Sequence, residues 1–245
     1  VGARTWHRPR ALAVVSSIVG IAFFIWLGLW QLRRAHEKEA LFAAFDATAT
    51  QPVVTLDVAR REATPLHYPL VQVAGRYDPV HAYVLDNQVR EGRAGVMVFD
   101  VFEPAAGGPP LLANRGFLAR GERGERPPIP AVPEGAQTLT ALYAQPPGSG
   151  LHLGGNALPR QTTWPKLSIY IDLAEIAKDL GREPDPRVLL LMPETDAAAA
   201  PAFVREWRPE VFPPERHYGY AFTWFTFAAL VVAIFTILHW RKDEV

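Results

Sequence analysis

Residues 11–32 and 218–240 contain no Asp, Glu, Lys or Arg, and this feature constrains the chain more than any other. A helix needs about 20 consecutive apolar residues to cross roughly 30 Å of hydrocarbon, and each segment meets that length. Two crossings place both chain ends on one side of a membrane and the long middle segment on the other. The expected organisation is a tail (1–10), a first transmembrane helix (11–32), a helical extension and connector (33–52) and a β-rich domain (53–200). A second connector (201–217), a second transmembrane helix (218–240) and a short tail (241–245) follow.

The first segment is long for a cleaved signal peptide and ends in Trp30-Gln31-Leu32-Arg33-Arg34, without a small-x-small cleavage site beside it. It reads as a retained signal anchor. Arg4, Arg8 and Arg10 precede it, and Arg241 and Lys242 follow the second segment, so the short tails favour termini inside. Arg33, Arg34 and Lys38 oppose that orientation, but long translocated domains obey the charge rule poorly. The expectation is cytoplasmic termini and an extracytoplasmic domain.

Between the spans, 23 prolines across the chain argue against a helical middle. Residues 32–44 lack Gly and Pro and are rich in helix formers, so the first helix should run past the membrane, with Leu41, Phe42 and Phe45 as an apolar edge. Pro52 marks a boundary before the first strand. Short apolar runs at 69–77, 82–85, 96–102, 111–118, 138–144, 167–171 and 188–192 read as strands separated by turn residues, Asp78-Pro79 and 90–93 among them. Residues 172–180 read as a short helix, capped by Asp172 and terminated by Gly181. The fold class is a membrane protein whose two transmembrane α-helices flank a mainly β domain, α+β and small barrel- or sandwich-like.

Charge excludes one class of partner: 25 basic residues balance 25 acidic ones, leaving no footprint for nucleic acid. Cysteine is absent, which removes disulfides, thiolate metal sites and thiol nucleophiles. No nucleophile elbow, phosphate loop or paired-His metal motif occurs, and Asp86 and Asp100 form no recognisable acid/base pair, so no enzyme activity is expected. His67, His81 and His152 are scattered, and His239 at the inner edge is explained by snorkelling. Ser16 and Gly20 form a small-xxx-small pair that could admit a neighbouring helix.

The informative residues sit where the spans meet their outer surface. His217, Ala221 and Trp224 share one helix face with Tyr220 beside them, and antiparallel spans bring this face level with Trp30 and Gln31. An imidazole there could ligate haem iron, flanked by aromatic rings. Composition equally accommodates a plain aromatic belt, with His217 hydrogen-bonding at the interface. His36, on the same side, is conceivable as a second haem ligand. In Asn114-Arg115-Gly116-Phe117, Gly116 suits a bulge or close approach and Arg115 an internal ion pair, a structural role.

Three motifs carry a resemblance. Gly28-x-Trp30-Gln31-x-x-Arg34 followed by Lys38, Asn114-Arg115-Gly116-Phe117, and His217-x-x-Tyr220-Ala221-x-x-Trp224-Phe225 stand in this order across essentially the whole chain. Gly75 after residues 71–73 adds a fourth point. The chain resembles the SURF1 family, in its bacterial form, of membrane-bound assembly factors for haem-copper cytochrome c oxidase. Phe117 stands where Trp is usual, and Glu215-Arg216 also departs from the commoner residues. The resemblance implies assistance to haem a delivery or insertion, with the catalytic oxidase subunit, haem A synthase and membrane lipid as partners, in a bacterial inner membrane. It implies His217 as haem iron ligand, with Tyr220, Trp224, Trp30 and Gln31 as neighbours. The alternative is a scaffold or accessory subunit that stabilises the oxidase without binding haem.

Overall fold

The computed structural model describes residues 4–62, 64, 67–147, 156, 158–193, 203–207 and 212–242. In chain order the elements are β1 (Arg4–Trp6), α1 (Ala11–Asp46), β2 (Val54–Thr55), α2 (Leu56–Glu62), β3 (Leu70–Arg90), β4 (Arg93–Pro104) and β5 (Leu111–Ala119). There follow β6 (Gln137–Ala144), β7 (Lys166–Ser168), α3 (Leu173–Leu180), β8 (Val188–Leu191), α4 (Pro214–His239) and β9 (Trp240–Lys242). They form two compact units, one of Val1–Ala43 with Val211–Val245 and one of Ala44–Glu210. His152 and residues 195–201 lie outside the described residues.

In the first unit α1 and α4 are long and apolar enough to cross a membrane. The 36 residues of α1 run unbroken through the expected extension, because no Gly or Pro interrupts the helix formers beyond Leu32. Pro213 and Pro214 set the start of α4 four residues before the uncharged segment begins, as proline fits a first helical turn without losing a bond. On α1, Phe24, Gly28, Gln31 and Ala35 are withdrawn from solvent; on α4, His217, Ala221, Trp224 and Ala228 are. This three-four spacing is the seam of an antiparallel helix pair. A Cβ at Gly28 would lie 2.5 Å from the Phe225 ring, so the helices meet where a larger residue would displace that ring. The Ser16/Gly20 pair is not the contact: Ser16 is exposed and a Cβ at Gly20 would meet nothing within 4 Å. Sequence spacing alone cannot say which small residue faces the partner. At the opposite end, β1 and β9 pair antiparallel, and the Trp6 ring lies 5.8 Å from that of His239.

The second unit is a seven-stranded sheet in which β3, β4, β5, β8 and β6 pair in turn and β6 returns to β3. The sheet is thus a closed barrel, which decides between the barrel and sandwich expectations and removes most open edges. β2 and β7 add parallel to β3. Two of the expected strands, 69–77 and 82–85, are one strand. Asp78-Pro79 does turn the chain locally, with Asp78 Oδ1 accepting from the Val80 and His81 amides at 2.8 and 3.1 Å. The register shift between Tyr77 and Ala82 absorbs this turn as a bulge, so Pro79 needs no ladder partner and β3 continues. The bent strand can then pair with β6 along one half and with β4 along the other. Glu91 and Gly92, both with positive φ, close the two-residue β3–β4 hairpin.

One core cluster, including Val71, Val73, Phe102, Leu139, Ala141 and Leu191, is capped by Leu56 and Ala59 of α2. This helix has no counterpart in the sequence expectations, because its 7 residues, about two turns, carry too short an apolar period. A second cluster packs Ile176 of α3 against Tyr83, Phe99 and Phe117. α3 has the expected ends: Asp172 accepts from the Ala174 and Glu175 amides, and Gly181 is left-handed at φ 70°. Part of the expected connector belongs to the barrel, since Val204 bridges Phe117 through paired backbone bonds of 2.9 Å.

Candidate functional site

At the end of the helix seam His217 faces Gln31, with Nδ1 2.8 Å from Oε1. Its Nε2 is buried and has no hydrogen-bond partner among the described residues. Trp224 lies two turns further along the seam and stacks on Phe24 at 5.9 Å and 20°. The structure therefore joins two of the residues singled out from sequence, His217 and Gln31, and sets Trp224 on the same seam two turns away. Tyr220 and Trp30 lie off the seam, 56% and 46% exposed. Phe24 was not singled out, because a phenylalanine among many in an apolar helix carries no distinguishing signal.

A polar clasp joins the two helices beside His217. The Tyr218 hydroxyl donates to Glu39 Oε1 at 2.8 Å, and His36 Nδ1 lies 3.1 Å from Glu39 Oε2. These bonds, Tyr218 first and His36 second, hold the Glu39 carboxyl below its usual range. His36 is thus engaged with Glu39 rather than with His217. Sequence reasoning missed Glu39 and Tyr218, whose pairing spans most of the chain length.

Buried nitrogen without a proton partner is expensive in a packed seam and is the feature a metal-ligating imidazole presents. The residues present fit a haem iron ligand on this count: a nitrogen lone pair, a second nitrogen anchored by a neighbour, and an aromatic ring on the same face.

The barrel holds its own buried polar cluster around Asn114-Arg115-Gly116-Phe117. Arg115 is fully buried and donates to Asp100 Oδ2 at 3.2 Å and to the Pro130 and Ala131 carbonyls at 2.7 and 3.2 Å. Its guanidinium also lies 4.7 Å from the Phe203 ring centre. Gly116 takes φ 126°, and a Cβ there would press on the Val204 carbonyl at 2.9 Å. The motif thus pins a proline-rich loop and the 203–207 segment to the barrel wall. Beside that loop lies an open cleft of about 770 Å³ lined by Tyr77, Asp78, Asp100, Pro130 and Trp164. At its edge Asp78 Oδ2 pairs with His81 Nδ1 at 2.7 Å. Burial would raise the Asp78 carboxyl, but the Val80 amide and His81 outweigh it and hold it low. Asp86 is bound to Arg120 at 2.5 Å and is not paired with Asp100.

A barrel domain carried in sequence between two apolar helices, with a half-buried histidine where those helices meet, defines a class of two-span membrane protein. The SURF1 family model matches residues 18–229. A SURF1-like protein of Monosiga brevicollis is 22% identical over 222 residues, covering 86% of this chain and 82% of that protein. The chain belongs to the SURF1 family. Membership supports a general role in the assembly of cytochrome c oxidase.

Proposed function

We propose that the protein holds haem a at the outer end of its helix pair and assists its delivery to the catalytic subunit of cytochrome c oxidase. The observation that carries this reading is the buried, unpartnered Nε2 of His217 on a seam that also presents Trp224. His217 would hold the iron, Trp224 would flank the macrocycle, and Trp30 and Tyr220 at the exposed surface would face the porphyrin rim or the receiving subunit. Haem a supplies the redox-active iron of the oxidase, and this protein performs no chemical step on it. The basic tails support cytoplasmic termini with the barrel outside, in a bacterial inner membrane, where haem A synthase and the oxidase subunit are the natural partners.

The test is purification from cells that make haem A, with an optical spectrum of the wild type and of His217→Ala. Pigment in the wild type that falls at least tenfold in the variant supports the reading. Equal pigment in both removes His217 as ligand.

A second reading follows from the same residues. The His217–Gln31 bond and the Gly28–Phe225 contact also form a helix joint, which suits a scaffold that stabilises the oxidase subunit without haem. It expects pigment-free protein that still co-purifies with the subunit.

A further inference from the structure

We infer that Gln31 is a positioning residue that fixes the tautomer of His217, so that Nε2 rather than Nδ1 carries the free lone pair; this rests on the proposal that His217 is the ligand. A neutral imidazole has one N–H and one lone pair, and the neighbour of one nitrogen decides the state of the other. The atom that faces Nδ1 is the amide oxygen of Gln31, 2.8 Å away, and an amide oxygen can only accept. Nδ1 therefore holds the proton and donates it. Nε2 is left with its lone pair, buried and without a partner among the described residues, which is the state a metal ligand requires.

The surrounding packing makes this arrangement specific. Gly28 lies one turn before Gln31, and the Phe225 ring packs where a Cβ at 28 would stand, which sets α4 opposite this face of α1. Tyr218 and His36 both bind Glu39, and among the described residues the hydrogen-bond partner of the imidazole is Gln31. Gln31 is therefore the side chain that orients the ring. The loss of one hydrogen bond matters here because the alternative tautomer would point N–H, not a lone pair, into the buried position. Outer partners of this kind typically change metal affinity about 10–100-fold when removed.

The test uses the full chain in detergent micelles, labelled with 15N-histidine and prepared from cells that make no haem A. A His217→Asn spectrum identifies the His217 resonances by their disappearance. The expected result is a proton on Nδ1 of His217 in the wild type and in Gln31→Glu, which keeps an acceptor at that nitrogen. Gln31→Met, of similar volume but with only a weak thioether acceptor, should shift the population towards the Nε2-protonated form. Reconstitution with haem a then follows: Gln31→Met should retain haem about 10–100-fold less tightly. Gln31→Glu should lower the iron midpoint potential, because an anionic acceptor strengthens the donor character of the ring. If the wild-type ring is Nε2-protonated, or if Gln31→Met leaves it unchanged, the assignment to Gln31 is overturned whether or not haem binds. If the tautomers behave as stated but the wild type takes up no haem a, the positioning role stands and the haem proposal fails.

Discussion

Replacing Arg115 by Met removes a guanidinium that ties together the barrel wall, the 129–131 loop and the 203–207 segment. The side chain is fully buried, and Asp100 beside it is 3% exposed, so the carboxylate would lose the cation at 3.2 Å while meeting water only through the cleft it lines. Breaking a buried pair by deleting one partner costs about 3–5 kcal/mol. Two carbonyls, of Pro130 and Ala131, lose donors at 2.7 and 3.2 Å as well. They border an open cleft where water can replace the guanidinium, so their loss adds little beyond the ionic cost. A total of about 3–5 kcal/mol corresponds to a fall in melting temperature of about 6–20 °C for a protein of this size. Thermal unfolding of the full chain in micelles, followed by near-ultraviolet circular dichroism, measures it. Combining Arg115→Met with Asp100→Asn should recover part of the loss, since the double variant no longer buries a carboxylate that has lost this cation. A single variant that melts within about 3 °C of wild type would refute the assignment of Arg115 as the pin of the barrel wall.

Three further outcomes follow from the packing. Gly116→Ala forces a Cβ onto the Val204 carbonyl at φ 126° and should destabilise the barrel by more than about 1 kcal/mol, read in the same melts. Gly28→Leu should overpack the helix seam against Phe225 by about 1–3 kcal/mol; because the chain has no cysteine, cross-linking yield between cysteines introduced at Phe24 and Phe227 reports the loss of contact. The Asp86 carboxyl is pushed up by burial but held below its ordinary value of 3.8 by the Asn87 amide and Arg120. Its folded value is the lower one, so its stabilisation is present above pH 3.8 and is lost as pH falls through the folded value; Asp86→Asn should flatten this acid branch of the melting-temperature profile.

Much of the fold was legible because it is encoded locally. Absence of charge marked both spans, helix-forming composition carried α1 past the membrane segment, and Asp172 and Gly181 set the ends of α3 through bonds within a few residues. The Arg115 and Gly116 expectations also held, because a charged residue and a glycine inside an apolar run have few ways to be accommodated. What failed was long-range. Asp78-Pro79 reads as a strand break in any window, and only pairing with β4 and β6 shows that the chain resumes its direction as β3.

The candidate site divides along the same line. Sequence by itself marked two segments long and apolar enough to cross a membrane and placed His217, Trp224, Trp30 and Gln31 towards the same end of them, because hydropathy and helical period are properties of short segments. Only tertiary structure decided that Gly28, and not Gly20, makes the helix contact, that Gln31 rather than Trp30 meets His217, and that Nε2 is the nitrogen left without a partner. Those outcomes depend on the rotation of one helix against another, which is fixed by steric fit between residues nearly two hundred positions apart.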